Sequence, residues 1–92
     1  MKYFAAFLTM KDEEKNKIHR PAHLEFLEEM RKQKKVLMNG RFLDGAGGLI
    51  IYVGDSLEQV EGWVQEDPYI ALGARNYTLH EWEMVTDVKF VE

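Results

Sequence analysis

Three observations predict an α+β domain of order β-α-β-β-α-β. Two stretches, residues 2–10 and 49–53, are apolar on both alternating faces, the pattern of strands covered on both sides. Each is followed by a stretch with apolar residues at helical spacing. Between these lie breaks in the pattern: a glycine-rich run at Asp44-Gly45-Ala46-Gly47-Gly48 and an Asp67-Pro68 step. The resulting order is the ferredoxin-like arrangement, in which two helices lie on one face of a four-stranded antiparallel sheet. The 92 residues suit one domain.

The first strand places Tyr3, Ala5, Phe7 and Thr9 on one face and Phe4, Ala6, Leu8 and Met10 on the other. A charged loop, 11–17, ends near Asn16, a candidate cap. The first helix is expected over 18–35, because Pro21 lacks an N–H and is tolerated in a first turn. Leu24, Leu27 and Met30 are expected to face the core, and Glu28, Glu29, Arg31 and Lys32 the solvent. The basic residues 31–35 suit the negative end of the helix dipole. A second strand is expected over 36–43, with Gly40 marking a bulge or a close backbone approach. The glycine run makes a hairpin turn. It is not a phosphate loop: no Lys-Ser/Thr pair follows it, and a strand stands where a helix would begin. Ser56 and Gln59 form a capping-box pattern opening a second helix. That helix carries Leu57, Val60 and Val64, with Trp63 beside them, and stops by Asp67, since the residue before proline is pushed out of helical geometry. A last, half-buried strand is expected over 75–85, followed by a short tail to Glu92.

Composition removes several function classes. There is no cysteine, hence no disulfide, thiol nucleophile or thiolate zinc site. The formal net charge of -4 opposes nucleic-acid binding, and the aromatic motif of RNA-binding sheets is missing. Apolar runs are too short to span a bilayer. The apolar N-terminus after Lys2 runs into Lys11-Asp12-Glu13-Glu14-Lys15 with no small-residue cleavage site, so it is expected to be a buried strand of a cytoplasmic protein rather than a signal peptide. With both helices on one sheet face, the other face is left apolar and bare. The expected remedy is a homodimer packed sheet to sheet.

The candidate chemistry centres on His23 and Asp67. Imidazole exchanges protons near neutrality, and a carboxylate partner fixes its tautomer and raises its basicity. Each has an ordinary alternative: Asp before Pro is a common turn signal, and His23 can be a plain helix residue. His19, four residues before His23, shares a helix face with it, but the remaining histidine, His80, falls on the last strand, and no metal site is expected. The lone serine, Ser56, is explained by its cap role. Trp63, Tyr69 and Trp82 line either a pocket or the core. Arg20, Arg41 and Arg75 are each able to hold an anionic group bidentately, against a default role as solvated surface.

These residues resemble the YciI-like (YCII-related) proteins, small dimeric α+β barrels of ferredoxin-like fold. The resemblance spans nearly the whole chain. It rests on the opening strand, His23-Leu24-x-x-Leu27, Asn39-Gly40-Arg41-Phe42 with its glycine-rich turn, and Asp67-Pro68-Tyr69. It implies an active site on His23 and Asp67 and a homodimer with the pocket between sheet and helices; beside it, substrate contacts are expected from Arg20, Arg41 and Tyr69, and no cofactor is expected. Two positions depart from the family pattern. Gly40-Arg41 stands where many relatives have Gly-Pro, and Gln33-Lys34-Lys35 where many have a glycine. One relative type is a dehydrochlorinase of a chlorinated hydroxyquinol; neighbouring families include muconolactone isomerases and cofactor-free monooxygenases. Two readings stay open: a cofactor-free lyase or isomerase using the His–Asp pair on a small molecule, and a non-catalytic dimer that binds a small metabolite for regulation.

Overall fold

The computed structural model describes residues 1–89. Its strands are β1 (Lys2–Met10), β2 (Val36–Arg41), β3 (Gly47–Gly54) and β4 (Arg75–Trp82); its helices are α1 (Glu13–Lys32), α2 (Leu57–Glu66) and the four-residue α3 (Pro68–Ala71). The strands form one antiparallel sheet in the order β2-β3-β1-β4. This is the expected ferredoxin-like topology, with α3 added between α2 and β4.

The sheet face under the helices is the core. Phe4, Ala6 and Leu8 of β1 and Ile50 and Tyr52 of β3 bury against Leu27 and Met30 of α1 and Val60 and Val64 of α2. Each large apolar side chain so buried contributes about 1.5–3 kcal/mol of transfer free energy. The opposite face carries Ala5, Phe7, Leu49, Ile51 and Trp82, and among the described residues no helix lies over it.

Several element boundaries differ from expectation, for identifiable reasons. Helix α1 starts at Glu13, not near 18–20, and Pro21 lies inside it. Asp12, not Asn16, is the cap: its carboxylate accepts from Lys15 N–H at 3.0 Å, and Glu13 and Glu14 follow in the first turn. Those two signals nucleate the helix upstream and carry it through a proline that lacks one hydrogen bond. The helix ends at Lys32, where Gln33 is the cap and Lys34 takes a positive φ of 64°. Of the three expected core positions, Leu27 and Met30 are buried, but Leu24 is 44% exposed and His23 takes its place inward.

The bulge lies between Val36 and Met38, not at Gly40, where a side chain would meet open space. The second strand stops at Arg41, because Phe42 N–H already turns to Gly47 O at 2.8 Å. The third begins early, at Gly47. There φ is +146°, and a Cβ would overlap the Leu8 carbonyl, so only glycine allows β3 to approach β1 this closely. Strand β4 ends at Trp82 rather than at 85, where its pairing with β1 stops at Tyr3. The described part of the tail, 83–89, adds no strand, and its end at Glu92 falls outside the described residues. No helix among the described residues is long and apolar enough to cross a membrane.

Candidate active site

Helix α2 ends where Asp67 takes an extended conformation (φ -61°, ψ 125°), and the same residue caps α3, with Pro68 at its first position. This is the geometry that a residue before proline favours and that proline tolerates at a helix start. It turns the Asp67 carboxylate inward, where it is fully buried. Its Oδ1 accepts from Tyr69 N–H at 2.9 Å and meets His23 Nδ1 at 2.7 Å. A carboxylate only accepts, so Nδ1 carries the hydrogen, leaving the Nε2 lone pair free. That atom has no partner among the described residues, and the imidazole lines a cavity of about 230 Å³.

The cavity lies on the helix side of the sheet, at the end where β1 and β2 finish and β3 and β4 begin. Gly48 and Ile50 of β3 and Leu8 of β1 line its sheet side, with His23 and Leu24 of α1 and Tyr69 of α3 opposite. Tyr69 stacks on His23, ring centroids 3.8 Å apart and 14° from parallel. The Arg75 guanidinium lies over the Tyr69 ring at 4.6 Å. Since the imidazole occupies one ring face, the guanidinium occupies the other. Imidazole, phenol and guanidinium therefore form one three-layer stack.

Arg75 is itself buried, at 8% exposure. Its Nε donates to Asn16 Oδ1 at 2.8 Å, and its Nη1 makes a long contact to Leu8 O at 3.4 Å. Burial pushes its guanidinium below the ordinary arginine range; Tyr69 and Asp67 oppose that effect and Arg20 adds to it. Below the pair lies Tyr52, whose hydroxyl is pushed above the usual phenol range by burial, with the Asp67 charge adding. Among the described residues the Tyr52 hydroxyl, the Tyr69 hydroxyl and Asp67 Oδ2 are buried without partners.

Of the residues singled out in the sequence, His23, Arg20, Arg41 and Tyr69 all line this cavity, with Asp67 directly behind His23. Arg75 lines it too, as does Asn39, which accepts from Arg31 at 2.6 Å. The sequence offered Arg75 only as one of three similar arginines; the signal for its special place is the β1–β4 register, which sets it opposite Met10. Trp63 and Trp82 lie elsewhere. Trp63 sits beneath Lys35 at 5.1 Å, and Trp82 is on the uncovered sheet face with His80. Among the described residues no three His, Asp or Glu side chains are grouped to hold a metal ion.

Fold and cavity together define a small ferredoxin-like α+β protein with a buried His–carboxylate pair facing a pocket. The YCII-related domain model matches residues 1–83, and the chain belongs to that family. It is 35% identical over 82 residues to the uncharacterized protein YjpA of Bacillus subtilis (strain 168), covering 89% of this chain and 96% of that one. Among solved structures it is similar to 5-chloro-2-hydroxyhydroquinone dehydrochlorinase (TftG) from Burkholderia phenoliruptrix AC1100 in complex with 2,5-dihydroxybenzoquinone. The TM-score is 0.75 at 20% identity, over 88% of this chain and 93% of that one. At that identity the likeness is one of fold.

Proposed function

We propose that this protein is a cofactor-free acid–base enzyme of lyase or isomerase type, acting on a small molecule in the cavity beside His23. The observation that carries the reading is the 2.7 Å contact between His23 Nδ1 and the buried Asp67 carboxylate. It fixes the tautomer that presents a basic Nε2 to the cavity. Nε2 takes a proton from a C–H of the substrate, and Asp67 stabilises the imidazolium that forms. In an isomerisation the proton returns at a neighbouring carbon; in an elimination the freed electron pair expels a leaving group. The dehydrochlorinase of the same fold supports the reading, since its name describes an elimination.

The cavity also suits its task by size. At about 230 Å³ it falls below the roughly 300 Å³ at which drug-sized pockets begin, which favours a single-ring or short-chain substrate.

The test is solvent-deuterium incorporation, read by NMR, into a panel of small carbon acids that includes hydroxyquinols. His23→Ala is expected to lower exchange by about 10²-fold or more. Asp67→Asn, which disturbs the tautomer, is expected to cause a smaller loss, with far-UV circular dichroism unchanged in both. Exchange that persists in folded His23→Ala would reject the proposal. Ligand binding without His23-dependent exchange would mark a metabolite-binding module instead.

A further inference from the structure

Arg75 is a buried cation that forms no ion pair among the described residues. The ion pairs among the described residues are His23–Asp67 and Lys32–Glu28, and neither involves it. A buried charge is normally paired, because an isolated one is costly to desolvate. Asp67, whose charge acts on the guanidinium, turns its Oδ1 to His23 and Tyr69 N–H, and among the described residues no bond joins its Oδ2 to Arg75. Arg75 is instead held in place by neutral groups: Asn16 on Nε and the Tyr69 ring beneath its plane. The Leu8 carbonyl accepts from Nη1 at 3.4 Å, and among the described residues Nη2 makes no hydrogen bond, with Arg75 on the cavity wall.

The rest of the lining has the same sign. Arg20 and Arg41 join Arg75 there, and no Asp or Glu lines the cavity. This is a local concentration of positive charge on a chain whose formal net charge is -4. A low-dielectric wall with one sign of charge attracts the opposite sign, and a rigid guanidinium fork matches the planar geometry of a carboxylate bidentately.

We infer that the ligand of this cavity is a small carboxylate, anchored in-plane on Arg75 while Arg20 and Arg41 supply attraction at the mouth. Arg75 then sets specificity and His23 does the chemistry, with Tyr69 between them fixing the distance from carboxylate to reacting carbon. The inference rests on the acid–base reading only for which end of the ligand reacts; the anion site itself is independent of turnover.

The experiment is a titration of ¹⁵N-labelled protein with benzoate and with its neutral isostere benzamide, following the Arg75 Nε–Hε and Gly48 amide signals. Benzoate is expected to shift both signals, with benzamide at least tenfold weaker. Arg75→Met should weaken benzoate at least tenfold, and Arg75→Lys, which keeps the charge but loses the fork, should fall between them. Equal binding of the two probes, or benzoate that leaves Arg75 undisturbed at tens of millimolar, would overturn the inference. So would full benzoate affinity in folded Arg75→Met. Should that variant not fold, the wild-type benzoate–benzamide ratio decides alone. Because no turnover is read, failure here leaves the role of His23 standing, and loss of the His23 role leaves the carboxylate site standing.

Discussion

Asp67 joins backbone structure to side-chain chemistry. Its backbone ends one helix, while one of its carboxylate oxygens caps the next and meets the His23 ring, so the turn reading and the His-partner reading of this residue hold together. In the sequence its pairing with His23 is legible only beside an ordinary turn reading until the resemblance strengthens it, because 44 residues separate the two and only the element order brings them within reach. Arg75 was less legible still: its value comes from burial and from the missing counter-charge, neither of which a sequence displays. Tyr52 supplies the prediction at this scale. Its folded-state preference for the protonated phenol is fully in place below the ordinary value of 10.0 and is lost as pH rises above it. Stability should therefore decline by about 1.4 kcal/mol per pH unit on the alkaline side. Tyr52→Phe should flatten that limb in urea titrations and leave neutral stability within about 1 kcal/mol, because the hydroxyl has no partner to lose among the described residues. Identical alkaline slopes in the two proteins would contradict the assignment.

At the scale of elements, α1 shows where local rules compete. Pro21 signals a helix start, and Asp12 with Glu13 and Glu14 signals another, two turns earlier; the cap and the acidic first turn prevail. The proline remains as an interior defect between Arg20 and His23, two residues of the cavity wall. Pro21→Ala restores an N–H and removes a ring clash on an exposed face. It should raise stability by about 1–3 kcal/mol, read as a higher melting temperature. A lower melting temperature would show that Pro21 packs favourably where it stands. With Leu27 and Met30 inward, His23 completes the i, i+4, i+7 stripe of the buried face and Leu24 falls beside it. Pattern reading favours leucine for the core, but the carboxylate waiting at the end of α2 draws the imidazole in. The strand order and the two main helices, by contrast, were legible throughout, because two-sided apolar strands and helical spacing act over long runs. The four-residue α3 is too short to leave any period.

For the whole molecule, the uncovered sheet face is the unresolved balance. Phe7, Met38 and Trp82 are 40%, 39% and 44% exposed on or beside it, around a shallow apolar groove. We propose that a second copy of the chain covers this face, as the apolar pattern of β1 and β3 led us to expect. Light scattering at micromolar concentration should give twice the mass of 10.8 kDa. Phe7→Glu, placing a charge at the centre of the patch, should shift the population to monomer with its circular dichroism retained. A monomeric wild type would reject the assembly.

The shared oxygen of Asp67 has one more consequence. The Tyr69 amide proton is held by the same atom that holds the imidazole, and it belongs to a helix of four residues, too short to be stable by itself. Whenever α3 frays, the ring stack opens, the amide meets water and the histidine loses its orienting contact together. The working pair is thus present only for the fraction of time that one short turn stays wound. Hydrogen exchange at a single backbone position reports that fraction, with no substrate added.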